Sequence, residues 1–210
     1  MKSALLVAAC LSLFAAAATA ELIITEAFYD EVGLDETAEW VEILNTGPDA
    51  VDLTGYQLCN GGTSYAYSVN VLSGTIDPCQ VFVVGGPASS ETNGSPVYDL
   101  VLDFTPDFQN SGTASDGIAL FAPGDDPLTA CPVSAILYGG ENTSNLLDAS
   151  CSINPPAVGD AVAGQSIERI AYPEDTWVIN AAPAPGVVGF ACGGTSAERK
   201  TWGEVKSVYR

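Results

Sequence analysis

Glu39-Trp40-Val41-Glu42-Ile43-Leu44-Asn45, then Thr46-Gly47-Pro48-Asp49, then Val51-Asp52-Leu53-Thr54-Gly55-Tyr56-Gln57-Leu58 is the stretch that decides the fold. Aromatic and β-branched residues crowd into a short run, Gly-Pro-Asp punctuation follows, and a second apolar run begins, which is the pattern strand, turn, strand. Gly55 supplies the φ > 0 freedom that a tight bend wants. Outward from this stretch, short apolar runs recur at 22–28, 39–45, 56–60, 65–72, 80–84, 97–103, 117–122, 133–138, 166–172 and 176–179. Thirteen Pro and 21 Gly are scattered between them, and no long helical periodicity interrupts them before the C-terminal tail. Such a set predicts an all-β sandwich. The spans 85–95 and 139–145, rich in Gly, Ser and Asn, are expected to be surface loops.

Several short blocks fall in a telling order. Ile23-Ile24-Thr25-Glu26-Ala27, the 39–45 run and Asp52-Leu53-Thr54-Gly55-Tyr56-Gln57-Leu58 come first. Ser115-Asp116-Gly117-Ile118-Ala119-Leu120 and Gly164-Gln165-Ser166-Ile167-Glu168-Arg169 follow, and Trp177 and Pro183-Ala184-Pro185-Gly186 close the series. Order and spacing together resemble the bacterial lamin tail domain family over residues 22 to 187. The resemblance implies an immunoglobulin-like β-sandwich, and a non-catalytic module of secreted or surface proteins.

The ends differ in composition from the middle. Lys2, the apolar run 4–18 and Ala18-Thr19-Ala20 read as charged region, apolar core and small-residue cleavage site, so residues 1–20 are expected to be a signal peptide cut after Ala20. The run is short for a membrane span. Val7-Ala8-Ala9-Cys10 also fits a lipoprotein signal, but the apolar run continues past Cys10, which favours Ala20. The sandwich is placed at 21–187, a Gly-, Val- and Ala-rich linker at 188–197, and a basic amphipathic tail at 198–210. In a helix Trp202, Val205 and Tyr209 would share one face. The tail reads either as a docking or sorting element, with Trp202, Lys206, Tyr209 and Arg210 as its contacts, or as a frayed terminus.

Formal net charge is −20, and residues 21 to 195 hold 24 of the 26 acidic residues against Arg169 alone among the cations. A body of that charge repels nucleic acid and anionic lipid. Hard carboxylate oxygens suit calcium, and Asp30, Glu31, Asp35, Glu36 and Glu39 form the densest acidic cluster, in the loop between the first two strands. The spacing is not that of an EF-hand, so the cluster is either a calcium site or a solvated charged loop. Otherwise no cofactor is expected.

Setting Cys10 aside leaves Cys59, Cys79, Cys131, Cys151 and Cys192, an odd number that with a leader points to an oxidising compartment. Nearest-neighbour pairing predicts Cys59 with Cys79 and Cys131 with Cys151, and leaves Cys192 unpaired just outside the domain. The chain has no histidine, and its lysines are confined to the leader and the tail, so His-dependent nucleophilic chemistry is excluded. Carboxylate pairs survive as candidates, and Glu26 and Glu42 lie on predicted strands, where carboxylates more often sit at a solvent-facing edge. Arg169 is expected in a cross-strand ion pair, Trp40 and Trp177 in the core, and Tyr65-Ala66-Tyr67 on an exposed surface. The reading that results is an exported, non-catalytic β-sandwich module, secreted or at the cell surface, with an interaction or structural role toward a protein or glycan. The alternative is a calcium-dependent carbohydrate-binding or adhesive module.

Overall fold

A computed structural model describes residues 22–33, 37–110 and 112–192. The expected leader with Cys10, the acidic residues Asp35 and Glu36, and the tail with Trp202, Lys206, Tyr209 and Arg210 lie outside the described residues.

Among the described residues twelve strands follow one another: β1 Leu22–Phe28, β2 Trp40–Asn45, β3 Val51–Asp52, β4 Gln57–Gly61, β5 Ser68–Val71, β6 Thr75–Ile76, β7 Val81–Gly85, β8 Leu100–Val101, β9 Ser115–Phe121, β10 Ser134–Gly139, β11 Ser166–Ala171 and β12 Thr176–Asn180. Every strand read from the sequence is present, within a few residues. The two-residue strands β3 and β6 have no counterpart in that reading, because two residues carry no periodicity. Six strands form one sheet in the order β12-β11-β1-β2-β7-β8, antiparallel except for β7–β8. Four form the facing sheet, β10-β9-β4-β5, and β3–β6 make a small ribbon. The architecture is an immunoglobulin-like β-sandwich.

Alternation along the strands builds the core. Val41 and Ile43 of β2 point inward with Leu22, Ile24 and Ala27 of β1, and meet Leu58, Ile118, Leu120 and Ile136 of the facing sheet. Ser134 Oγ accepts the Ile24 N–H at 3.0 Å, a polar tie between the sheets. The turn after β2 is organised by Asn45, whose Oδ1 accepts the Gly47 N–H at 2.9 Å while its amide donates to the carbonyls of Asp49 and Ile76. Gly55 takes φ +86 in the following bend, as its neighbours demand.

All of β1 and β2 is buried on both faces. The outer face is covered in part by the 86–98 loop, where Trp40 stacks on Phe28 and its indole N–H donates to the Asn93 carbonyl at 2.9 Å. The chain after β12 covers the rest.

Candidate functional site

The register of β1 shifts between Ile24 and Glu26, with Thr25 as the extra residue. Simple alternation from Leu22 and Ile24 would place Glu26 in the core. The bulge instead sends Ala27 inward and turns Glu26 to the outer face. There Glu26 lies opposite Glu42 of β2 on one side and Glu168 of β11 on the other. Three carboxylates thus form a row across three neighbouring strands.

This row is not at a solvent-facing edge, as the sequence suggested for Glu26 and Glu42. Glu26 is 1% exposed and Glu42 0%. Residues 183–187 lie across them as a strap: the Ala184 N–H donates to Glu26 Oε1 at 3.2 Å and the Gly186 N–H to Glu42 Oε2 at 2.6 Å. Side chains complete the cage, with Ser166 Oγ donating to Glu26 Oε1 at 2.5 Å, Thr25 Oγ1 to Glu42 Oε1 at 2.6 Å, and Asn180 Nδ2 to Glu168 Oε2 at 2.9 Å. Glu26 Oε2 is buried and has no hydrogen-bond partner among the described residues. Pro183-Ala184-Pro185-Gly186 suits a strap, because its prolines stiffen the segment and leave few N–H groups, and those of Ala184 and Gly186 go to the carboxylates.

Burial pushes the Glu26 carboxyl up from 4.5 to about 7, against the hydrogen bonds from Ser166 and Ala184, and the nearby Glu42 and Glu168 push the same way. Glu42 and Glu168 are also raised, chiefly by burial. A raised carboxyl is what a general acid needs. Here the strap amides take Glu26 Oε1 and Glu42 Oε2, and the two carboxylates are buried beneath the strap.

The strap is latched by a covalent bond that sequence proximity did not suggest. Cys79 is joined to Cys192, with Cα atoms 5.4 Å apart, so Cys59 is not its partner. Cys59 sits on β4 and is buried beneath Tyr65, Phe121, Leu137 and Leu146 on the outer face of the four-stranded sheet. Cys79 sits in the β6–β7 turn, its N–H bonded to the Asn45 carbonyl at the end of β2 in the other sheet. A short interval in sequence therefore spans two layers. Burial pushes the Cys59 thiol up to about 12, which removes its thiolate character. Cys131 is bonded to Cys151. Cys192 is thus neither unpaired nor outside the folded unit, and residues 188–192, assigned to a linker, are tied to the sandwich.

Of the acidic loop, Asp30, Glu31 and Glu39 are among the described residues. Glu39 turns inward, where its carboxylate accepts the Phe108 N–H at 3.0 and 3.1 Å. Asp30 and Glu31 are half-buried. Among the described residues no three His, Cys, Asp or Glu side chains converge as metal ligands.

Arg169, Trp40 and Trp177 are buried. The Arg169 guanidinium pairs with Asp175 at 2.7 Å, donates through Nε to the Ile24 carbonyl at 3.0 Å and stacks over Trp177 at 4.8 Å. Its partner comes from the β11–β12 turn, not from a facing strand position. The Tyr65–Tyr67 pair divides: Tyr65 is buried and its hydroxyl donates to the Leu147 carbonyl at 2.8 Å, whereas Tyr67 is 48% exposed beside β5. Sequence reasoning missed the strap, for which the Pro-Ala-Pro-Gly motif was a signal.

Fold and site together define an immunoglobulin-like β-sandwich module closed by a C-terminal strap. The sequence profile of the lamin tail domain matches residues 15–173, and the chain belongs to that family. Among solved structures, a crystal structure of a DUF4876 family protein from Bacteroides thetaiotaomicron is similar at 15% identity and a TM-score of 0.40, over 87% of this chain and 75% of that one. No curated protein matches the chain.

Proposed function

We propose that this protein is an exported, non-catalytic β-sandwich module with an interaction or structural role outside the cytoplasm, at the cell surface or beyond it. The observation that carries the reading is the pair of crosslinks, Cys79–Cys192 and Cys131–Cys151, since disulfides persist in oxidising compartments and are rare where thiols are kept reduced. Membership of the lamin tail domain family supports the non-catalytic role, and the strap held on the carboxylate row agrees with it. Among the described residues no helix is long and apolar enough to cross a membrane. In this reading residues 1–20 are a leader and 198–210 a sorting or docking tail.

The test is the intact mass of the protein from fractionated native host, before and after reduction. The expected product begins at Glu21, is recovered outside the cytoplasm, and gains four hydrogens on reduction, two for each crosslink. A product recovered reduced from the cytoplasm would overturn the reading. A mass that stops short of Trp202 assigns the tail to sorting; one that keeps it assigns docking or fraying.

A further inference from the structure

Among the described residues no cation faces the carboxylate row. Glu42 of β2 and Glu168 of β11 flank Glu26 in register, so the titratable groups it meets from both neighbouring strands are acidic. β12 contributes the neutral amide of Asn180, and residues 181–192, which include the strap, carry no charged side chain. Arg169 is the one Lys or Arg among the described residues. It follows Glu168 on β11 and points to the opposite face, where Asp175, the Ile24 carbonyl and the Trp177 ring hold it. The row therefore has hydrogen-bond donors over it and no countercharge beside it.

Donors reach both oxygens of Glu42, from Thr25 and Gly186, but only Oε1 of Glu26, from Ser166 and Ala184. Charge on a buried carboxylate with one oxygen unmet and two like charges for neighbours is costly, whereas a proton on Oε2 removes the charge and leaves Oε1 to its two donors. The strap above is held lightly. Residues 183–187 belong to no strand, and the Ala184 and Gly186 N–H groups go to side chains whose charge depends on pH rather than to a neighbouring backbone. Both ends of the segment are fixed, one by β12, which finishes at Asn180, and the other by the Cys79–Cys192 crosslink. A segment pinned at its ends and held in its middle by carboxylates can lift without unpairing any strand.

We infer that residues 183–187 are a pH-sensitive clasp, which lies flat on the row while Glu26 holds a proton and lifts from it when that proton passes to solvent. Lifting lets water reach Glu26 Oε2, so an ionised Glu26 favours the raised strap. Under the strap Glu26 titrates at about 7, against 4.5 for a hydrated carboxyl, so the closed form binds the proton more tightly than the open one. Opening releases a proton between those two values, and its equilibrium constant rises with pH across that window and levels off above about pH 7. A fully hydrated Glu26 in the open form sets the ceiling on that rise at about 300-fold. The open clasp uncovers Thr25, Glu26 and Glu42 on the outer face of β1 and β2, while β12 and the crosslink keep hold of the segment.

Amide hydrogen exchange of the oxidised full chain, resolved by NMR and divided by the intrinsic rate at each pH, tests this from about pH 5 to about pH 8.5. Protection of the Ala184 and Gly186 amides should fall more than about tenfold as pH rises and level off above about pH 7, while the amides that pair β9 with β10 keep theirs. Glu26→Gln, neutral at every pH and still an acceptor for Ser166 and Ala184, should keep the strap protected with most of the pH dependence gone. Glu168→Gln leaves Glu26 able to titrate and removes one like charge, so the dependence should persist with its plateau reached at lower pH. A wild-type strap equally protected at every pH overturns the inference, as does a Glu26→Gln chain with the wild-type dependence or a Glu168→Gln chain with none. Loss of β9–β10 protection in step with the strap overturns it too, since opening would then be unfolding of the sandwich.

Discussion

Glu26→Gln separates the energetic role of the buried carboxylate row from everything else that titrates. In the folded chain Glu26 titrates near 7, against an ordinary value of 4.5. The folded pKa is the higher, so between those values the folded state holds a proton that the unfolded state has released. Stability therefore falls as pH rises through this window and levels off above about pH 7. The shift corresponds to about 3 kcal/mol, a large share of a domain's net stability. Gln at position 26 keeps an oxygen for the Ser166 and Ala184 donors and does not titrate. Glu42 and Glu168 give both proteins a slope of the same sign, which largely cancels in the comparison. The assay is urea unfolding of both proteins from about pH 4.5 to about pH 8, with a check that m is unchanged. The wild type should lose about 3 kcal/mol more than the variant across that range. Parallel profiles would refute the argument, since Glu26 would then be ionised and solvated in the folded state.

Cys192→Ser opens a loop of 113 residues, worth about 5 kcal/mol in the chain-entropy model, and should lower the melting temperature by roughly 10 to 20 °C. Cys131→Ser opens a loop of 20 and should cost about 3 kcal/mol, so calorimetry that ranks the two in the opposite order would contradict the latch assigned to the strap. Arg169→Ala leaves the Ile24 carbonyl and the Trp177 face without their partner and should cost about 2 to 3 kcal/mol in chemical denaturation. Asp175→Asn should cost less than about 1 kcal/mol, because Asp175 is 57% exposed and its ion pair is screened. With Glu39 committed to Phe108, calcium and chelator should both leave the melt unchanged; a rise of several degrees in calcium would reinstate the 30–39 cluster as a site. Cys59 should resist a thiol reagent in the folded protein and react on unfolding.

Much of the fold was legible because the signals are local. Period-two alternation with Gly and Pro punctuation located ten strands, and Trp40 and Trp177 announced the core by size and company. The misreadings share a cause, which is that partners came from distant chain. Cys59 and Cys79 are close in sequence but belong to different layers. Glu39 looked like one more loop carboxylate until the Phe108 N–H, 69 residues away, claimed it. Tyr65 looked as exposed as Tyr67 until the segment around Leu147 folded over it.

The sequence by itself determined the class of the chain: acidic, histidine-free and all-β, with its strands in order and its core tryptophans identified. These follow from composition and short-range pattern, which act before any two strands meet. Only the tertiary structure decided where the chemistry-bearing groups went. One extra residue at Thr25 moved Glu26 from the core face to the outer one, and a strap more than 140 residues further on covered it. A bulge and a long-range crosslink depend on pairing between distant segments, and no local pattern encodes which face, which cysteine or which sheet edge that pairing leaves buried, bonded or open.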